Sequence, residues 1–329
     1  MMTPARPGRA LSTPATNHPF ANDVRNYLMR TPRQLPSRYL YDELGSALFE
    51  AICRLPWYPL TGAELRLLQA HAREILGAGV TTVIELGPGS GAKLAALIGA
   101  AGSARNRLDL HLVDVSESAL AQARGALEVF DHVRVLTHPM TYEDGLVESL
   151  RARTFPGHRL ALFLGSNIGN FDPPGRDLFL RKVRQALTPG DGFLLGADLV
   201  KPERTLLLAY DDPLGVTAAF NLNLLARINR ELQGNFDLDG FAHHALWNER
   251  ASRVEMHLRS RRRQRIDVRA AGLTFEMLEG EMIWTESSYK YQPQEIVAML
   301  ERAGFRIRAQ WIDPVDRFAL TQAEAVPEG

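Results

Sequence analysis

The chain has 329 residues, 45% of them hydrophobic, and balances 38 basic against 38 acidic side chains. That length exceeds one minimal doubly wound domain, and the even charge excludes a global pull toward nucleic acid or an anionic membrane. A single cysteine, Cys53, excludes an internal disulfide and suits a reducing compartment, while no apolar run reaches the roughly 18 residues that a membrane span needs.

Residues 1–17 are rich in Pro, Ala, Thr and Arg and lack an apolar stretch, which predicts a disordered start and no signal peptide. The expectation is a cytoplasmic monomer whose partner is a small molecule, with no nucleic acid and no membrane. Cys53 closes the apolar pattern Leu48-Phe49-x-x-Ile52-Cys53 and reads as a core residue rather than a nucleophile. Glu64 to Leu76 carries helical periodicity.

From Thr81 the pattern alternates: strand 81–86, helix 91–101, strand 109–115, helix 117–129, strand 133–137, helix 146–153. The apolar strand Leu160 to Leu164, the helix Arg176 to Leu187 and the strand Gly192 to Ala197 continue it. Continuous apolar strands separated by helices predict a parallel sheet covered on both faces, a doubly wound α/β fold.

The alternation stops after Leu199. Ala209 to Leu232 reads as one helical stretch, followed by turn-rich sequence and the strands Ser252 to Leu258, Gln264 to Arg269, Leu273 to Leu278 and Glu281 to Ser287. A helix from Gln292 to Ala303 with Gly304 as its stop then leads to strands Phe305 to Ile312 and Phe318 to Ala323. A closing hairpin of that kind does not suit a classical dinucleotide domain. We expect residues 76–200 and 291–329 to form a cofactor domain. Residues 201–290 are expected to form a smaller inserted α+β substrate domain, to which the helical segment 18–75 contributes.

The most informative segment is Val83-Ile84-Glu85-Leu86-Gly87-Pro88-Gly89-Ser90-Gly91. A strand runs into alternate glycines and then a helix. Glycines there let backbone approach a ligand, and the helix start offers free N–H groups. Asp114 ends the next strand, where an acidic side chain accepts hydrogen bonds from ribose hydroxyls. An adenosine-containing cofactor is implied. Gly87, Gly89 and Ala92 also satisfy the permissive dinucleotide spacing, so NAD stays open on spacing alone. Glu85 ahead of the loop and the third glycine, Gly91, resemble the first motif of class I methyltransferases that bind S-adenosylmethionine.

Further blocks carry a narrower resemblance: Tyr39-Leu40-Tyr41-Asp42-Glu43-Leu44-Gly45-Ser46 with Leu48-Phe49, Leu55-Pro56-Trp57-Tyr58-Pro59, Phe163-Leu164-Gly165-Ser166-Asn167-Ile168-Gly169-Asn170, Ala209-Tyr210-Asp211-Asp212 and Glu286-Ser287-Ser288-Tyr289-Lys290. The chain resembles the histidine Nα-methyltransferases of ergothioneine biosynthesis, which form hercynine, from about residue 20 to its end. It departs from their usual pattern at Pro59, Pro88 and Asn167.

The resemblance implies a Rossmann-like methyltransferase sheet and S-adenosylmethionine as cofactor. It places Gly87, Gly89, Lys93, Asp114, Thr141 and Tyr142 at the cofactor. It places Asn170 and Tyr210 on the α-amino and α-carboxylate groups, with Gly165 presenting backbone. Tyr41, Phe49 and Tyr58 would line an imidazole pocket, Glu286 and Ser288 would bond the ring nitrogens, and Met256 would pack on the ring. Asn170, Tyr210 and Tyr58 are the residues it sets closest to the reaction.

Each has a plainer reading. Asn170 suits a turn, Tyr210 a core aromatic, Tyr58 loop packing and Glu286 an exposed strand position paired with Lys290. Met256 fits core or pocket. Asp211 and Asp212 suit a solvated face or the cap of a helix near Val216. The arginines from Arg259 to Arg265 read as a solvated hairpin end, and neither His243-His244 nor any Cys/His spacing makes a metal site. Two other functions remain: an Nα-methyltransferase for another amino acid such as tryptophan, and an adenosine-cofactor or NAD protein without this activity.

Overall fold

The computed structural model describes residues 19–77, 79–102, 107–151 and 157–327. The segment 1–17, expected to be disordered, lies outside the described residues. The strands are β1 (Arg33–Gln34), β2 (Val80–Leu86), β3 (Leu108–Asp114), β4 (Val133–Pro139), β5 (His158–Phe163), β6 (Gly192–Asp198) and β7 (Phe241–Asn248). They continue with β8 (Arg253–Ser260), β9 (Gln264–Val268), β10 (Leu273–Met277), β11 (Met282–Tyr289), β12 (Phe305–Asp313) and β13 (Phe318–Ala325).

A seven-stranded sheet in the order β12-β13-β6-β5-β2-β3-β4 forms the centre of the molecule. The five strands from β6 to β4 run parallel, and β13 lies antiparallel between β6 and β12. Successive side chains of one strand enter opposite cores. On β5, Leu160 and Leu162 pack with Leu94, Leu97 and Leu120 of the helices Ala92–Ala101 and Glu117–Leu127. Ala161 and Phe163 pack with Leu146, Phe179 and Ile296 of the helices on the other face. Burial on both faces is why these strands read as unbroken apolar runs.

Residues after β6 leave this sheet and return at Tyr291. Exit and re-entry are stapled together: Tyr291 N donates to the Asp198 carbonyl at 3.1 Å and Val200 N donates to the Tyr291 carbonyl at 3.0 Å. Between them, β7, β8 and β11 form an antiparallel sheet whose outer edge is β1, paired parallel to β11. Helix Val216–Leu232 buries Phe220, Leu224 and Ile228 in the same core as Phe20, Val24 and Leu40 from the N-terminal segment. Among the described residues no helix is long and apolar enough to cross a membrane.

Three local expectations need correction. The single helical stretch from Ala209 is two helices, Glu203–Tyr210 and Val216–Leu232. Asp212 separates them, its carboxylate accepting from Thr217 N at 2.7 Å and Val216 N at 3.2 Å, beside Gly215 at φ 73°. The Glu64 helix runs Leu60–Ala70 and breaks at His71, whose φ of −112° is not helical. Strand β7 stands where turns were expected, because its mixed polar composition hides a half-buried strand.

Candidate active site

Side chains that matter gather at one end of the central sheet, beyond the carboxyl ends of its parallel strands. Gly87 follows β2, Asp114 ends β3, Thr141 and Tyr142 follow β4, and Gly165 and Asn170 follow β5. That crevice is where open parallel sheets bind ligands.

The glycine turn has the conformation its composition requires. Gly87, Gly89 and Gly91 have φ of 76°, 53° and 76°, a region other residues enter only with strain. A Cβ on Gly87 would lie 3.0 Å from Tyr142 Oη and 3.3 Å from Asn167 Nδ2, so the turn is a concave cradle between two side chains. Asp114 accepts from Ser116 N at 2.9 Å, yet burial raises its pKa. Additional hydroxyl donors would relieve that cost, as ribose hydroxyls do. Tyr142 packs edge-on to Phe163 with centroids 5.4 Å apart, and Thr141 caps the helix Tyr142–Arg151 by accepting from Asp144 N at 3.3 Å while its hydroxyl donates to the Asp144 carboxylate at 2.8 Å. Cradle, acid and aromatic wall fit an adenosine-bearing group.

Behind the turn sits a residue that the sequence did not single out. Glu64 is fully buried. Both its oxygens accept from Gly165 N at 2.9 Å, and Lys93 Nζ lies 2.7 Å from Oε2. Burial disfavours the charged form of Lys93, but the Glu64 carboxylate outweighs it and keeps the lysine protonated. The carboxylate occupies a gap left by Gly196 on β6, where a Cβ would stand 2.0 Å from Oε1. Gly165 N is thereby committed to Glu64, so the backbone group that Gly165 offers a ligand is its carbonyl. Glu85 on β2 is also buried, and desolvation pushes its pKa to about 8 against the pull of Lys93.

Next to this turn opens a cavity of about 450 Å³, part of it continuous with solvent. Tyr41, Phe49, Tyr58 and Tyr210 form its aromatic wall, joined by Met256. Gly165, Asn170, Glu286 and Ser288 give it polar groups. All nine residues expected around an amino-acid substrate therefore line one space, together with Asn167, which also faces Gly87. The rings meet edge-on, Tyr41 with Phe49 at 5.5 Å and Tyr58 with Tyr210 at 6.1 Å between centroids. Burial raises the pKa of both Tyr41 and Tyr58, so their hydroxyls stay protonated.

Glu286 and Ser288 stand two residues apart on β11, hence on one face of the strand, and Met256 lies opposite Glu286 on β8. A register shift between Trp284 and Glu286 sets which residues take that face. Glu286 is only 8% exposed. Desolvation pushes its pKa to about 7, with Lys290 pulling the other way. Its carboxyl has no hydrogen-bond partner among the described residues.

Lys290 does not pair with Glu286, and Glu286 is not an exposed strand glutamate. Lys290 is fully buried beneath the cavity floor, 3.0 Å from Asp198 Oδ2. The other oxygen of Asp198 faces Lys201 Nζ at 2.7 Å. These are ion pairs at contact distance rather than in-line hydrogen bonds. Lys290 Nζ donates to Tyr210 Oη at 2.7 Å and to Ser288 Oγ at 2.9 Å. Tyr210 Oη donates in turn to Ser288 Oγ at 2.7 Å. Burial alone would strip the proton from Lys290, but Asp198 and the Tyr210 oxygen hold it charged. No signal in the sequence marked Asp198 or Lys201, since a strand-end aspartate and a loop lysine are ordinary residues. Cys53 lies half-buried against the core, and burial raises its thiol pKa.

Likeness to known proteins gives the family. A family described as "Histidine-specific methyltransferase, SAM-dependent" matches residues 20–325. The chain is 41% identical to the histidine N-alpha-methyltransferase of Mycolicibacterium smegmatis, covering 92% of this chain and 93% of that protein. It is 42% identical to the protein of that name from Mycobacterium tuberculosis over the same shares. The L-tryptophan methyltransferase of Psilocybe serbica is 26% identical, over 91% of this chain. Extent and identity together decide the matter: the chain belongs to the histidine-specific, S-adenosylmethionine-dependent methyltransferases.

Proposed function

We propose that this enzyme transfers methyl groups to the α-amino nitrogen of L-histidine and ends at the trimethylated product, hercynine, as a step of ergothioneine biosynthesis. S-adenosylmethionine supplies an electrophilic methyl group on a sulfonium centre. The reading rests on Glu286: a buried carboxyl aimed into an aromatic cavity, with no hydrogen-bond partner among the described residues. A buried carboxylate is stable only when it is bonded or paired. A ring N–H supplies that bond, and an apolar ring leaves it unmade, so the site prefers imidazole to a purely hydrocarbon side chain.

The remaining residues divide the work by chemistry. Gly87 and Gly89 bring backbone close to the cofactor, Asp114 accepts from ribose hydroxyls, and Thr141 with Tyr142 closes the adenine side. Lys93, held charged by Glu64, sets positive charge beside the loop. Asn170 accepts from the amine and donates to the carboxylate without adding charge. The Gly165 carbonyl accepts from the amine, Tyr210 flanks the carboxylate, and Tyr58 lines the imidazole pocket with Tyr41 and Phe49. Holding nitrogen, methyl carbon and sulfur in line is worth up to about 7–11 kcal/mol of the barrier. The enzyme is proposed to work in the cytoplasm.

Incubation with histidine and S-adenosylmethionine tests the assignment by mass: products heavier by one, two and three methyl groups are expected. Glu286→Ala should lose histidine turnover by about 100-fold or more, the scale of an unpaired polar contact in a specificity site, while cofactor affinity changes little. Equal loss of both, or better turnover of tryptophan than of histidine by the wild-type enzyme, would overturn it.

A further inference from the structure

The hydroxyl of Ser288 has one proton to give and room to accept two. Lys290 Nζ and Tyr210 Oη both point their protons at it, at 2.9 and 2.7 Å. An ammonium only donates, so the Lys290 contact has one direction. A phenol is a stronger acid than an aliphatic alcohol, so the Tyr210–Ser288 bond runs from phenol to serine. Tyr210 Oη in turn accepts from Lys290 at 2.7 Å. Asp198 fixes the third side of the ammonium at 3.0 Å, and Lys201 balances the second oxygen of Asp198 at 2.7 Å. Every group in this buried chain is therefore directed, and Ser288 is left with one unused function, its own proton.

We infer that Lys290, anchored by Asp198, is a positioning residue that turns Ser288 into an obligatory hydrogen-bond donor toward the cavity. Glu286, two residues earlier on the same face of β11, supplies the acceptor. The pair then reads a ring with one N–H and one bare nitrogen, the neutral imidazole, and selects the tautomer that matches. A ring that offers only N–H or only C–H groups leaves the Ser288 proton without a partner. This inference rests on the histidine reading above and specifies how the ring is chosen.

The test uses full-length enzyme at saturating S-adenosylmethionine, with histidine and the two pyrrolylalanines that carry a ring attached at carbon 2 or 3. Each pyrrole keeps an N–H and carries C–H where imidazole has its bare nitrogen. Wild-type kcat/KM should favour histidine over the better pyrrole by about 10- to 100-fold, the scale of one buried donor left unpaired. Ser288→Ala, which keeps the ion pairs, should cut that ratio to within a few-fold of one. Lys290→Met should cut it too, and should add no further loss of discrimination in the Ser288→Ala background. If Lys290→Met does not fold, Tyr210→Phe, which also frees a lone pair on Ser288, carries the same expectation. A purely structural role for Lys290 would change melting temperature and cofactor affinity but leave the histidine-to-pyrrole ratio intact, and that result overturns the inference. So does a wild-type enzyme that methylates histidine and both pyrroles equally, although histidine would then still be a substrate. Failure of wild-type enzyme to methylate histidine would instead overturn the substrate reading itself.

Discussion

The amide of Gly165 is held by Glu64, both carboxylate oxygens lying 2.9 Å from the nitrogen. Those residues are far apart in sequence, and their contact ties the N-terminal helix Leu60–Ala70 to the turn after β5. The same carboxylate neutralises Lys93 at 2.7 Å. One buried acid thus anchors backbone of the substrate cavity and charge of the cofactor turn.

Removing Glu64 should therefore be costly. Glu64→Ala leaves a partly buried ammonium and a partly buried amide without their fully buried partner, and breaking such a pair costs up to about 3–5 kcal/mol. Denaturant unfolding of the variant is expected to show a loss of that size, with weakened S-adenosylmethionine binding. Glu64→Gln, which keeps an acceptor, should lose less. A Glu64→Ala protein of wild-type stability would remove the carboxylate from this role.

Close packing makes a second prediction at Gly91. A Cβ there would stand 2.8 Å from the Ala123 Cα, on a residue with φ of 76°. Overpacking against backbone costs about 1–3 kcal/mol, and the left-handed conformation adds about 1–2 kcal/mol for a residue with a Cβ. Gly91→Ala should destabilise by their combined effect, read from thermal unfolding. Ala123→Gly should recover only a small part, because the clash is chiefly with backbone and the φ penalty remains.

The pH dependence of stability has a definite sign at Glu286. Its folded pKa, about 7, lies above the ordinary value of 4.5. Below 4.5 both folded and unfolded chains hold the proton; between the two values the folded chain alone holds it. Stability of the ligand-free protein should fall as pH rises through that window, by up to about 1.4 kcal/mol per unit, and this contribution should level off above it. Glu286→Gln does not titrate. Melting curves from pH 4.5 to 8 should show the variant gaining on wild type up to about pH 7. A constant difference across the range would mean that the carboxyl is not desolvated.

At the cofactor end, Asp114→Ala should weaken S-adenosylmethionine binding by about 1–3 kcal/mol, the worth of hydrogen bonds to a charged acceptor. Calorimetric titration measures it directly. With cofactor saturating, the KM for histidine should move far less, since Asp114 ends β3 while the substrate cavity opens beyond β5. An unchanged dissociation constant would take Asp114 out of the site.

What the sequence determined by itself is whatever depends on neighbours along the chain. Apolar runs in β2, β3, β5 and β6, the glycine turn after β2, and the spacing of Glu286 and Ser288 on one strand face are all local patterns, because strand period and backbone conformation are local properties. The motif blocks likewise named the residues that now line a single cavity. Tertiary structure decided what distant segments do to one another. Nothing near Glu64 announces that it meets Gly165, and only the space beside Gly196 lets its carboxylate enter. Lys290 reads as a partner for Glu286 until the fold lays Asp198 beneath it, at the point where the chain leaves and re-enters the central sheet. Burial and charge pairing arise from contacts across the fold, so the direction of a proton on Ser288 is settled only when β6, β11 and the helix ending at Tyr210 are packed together.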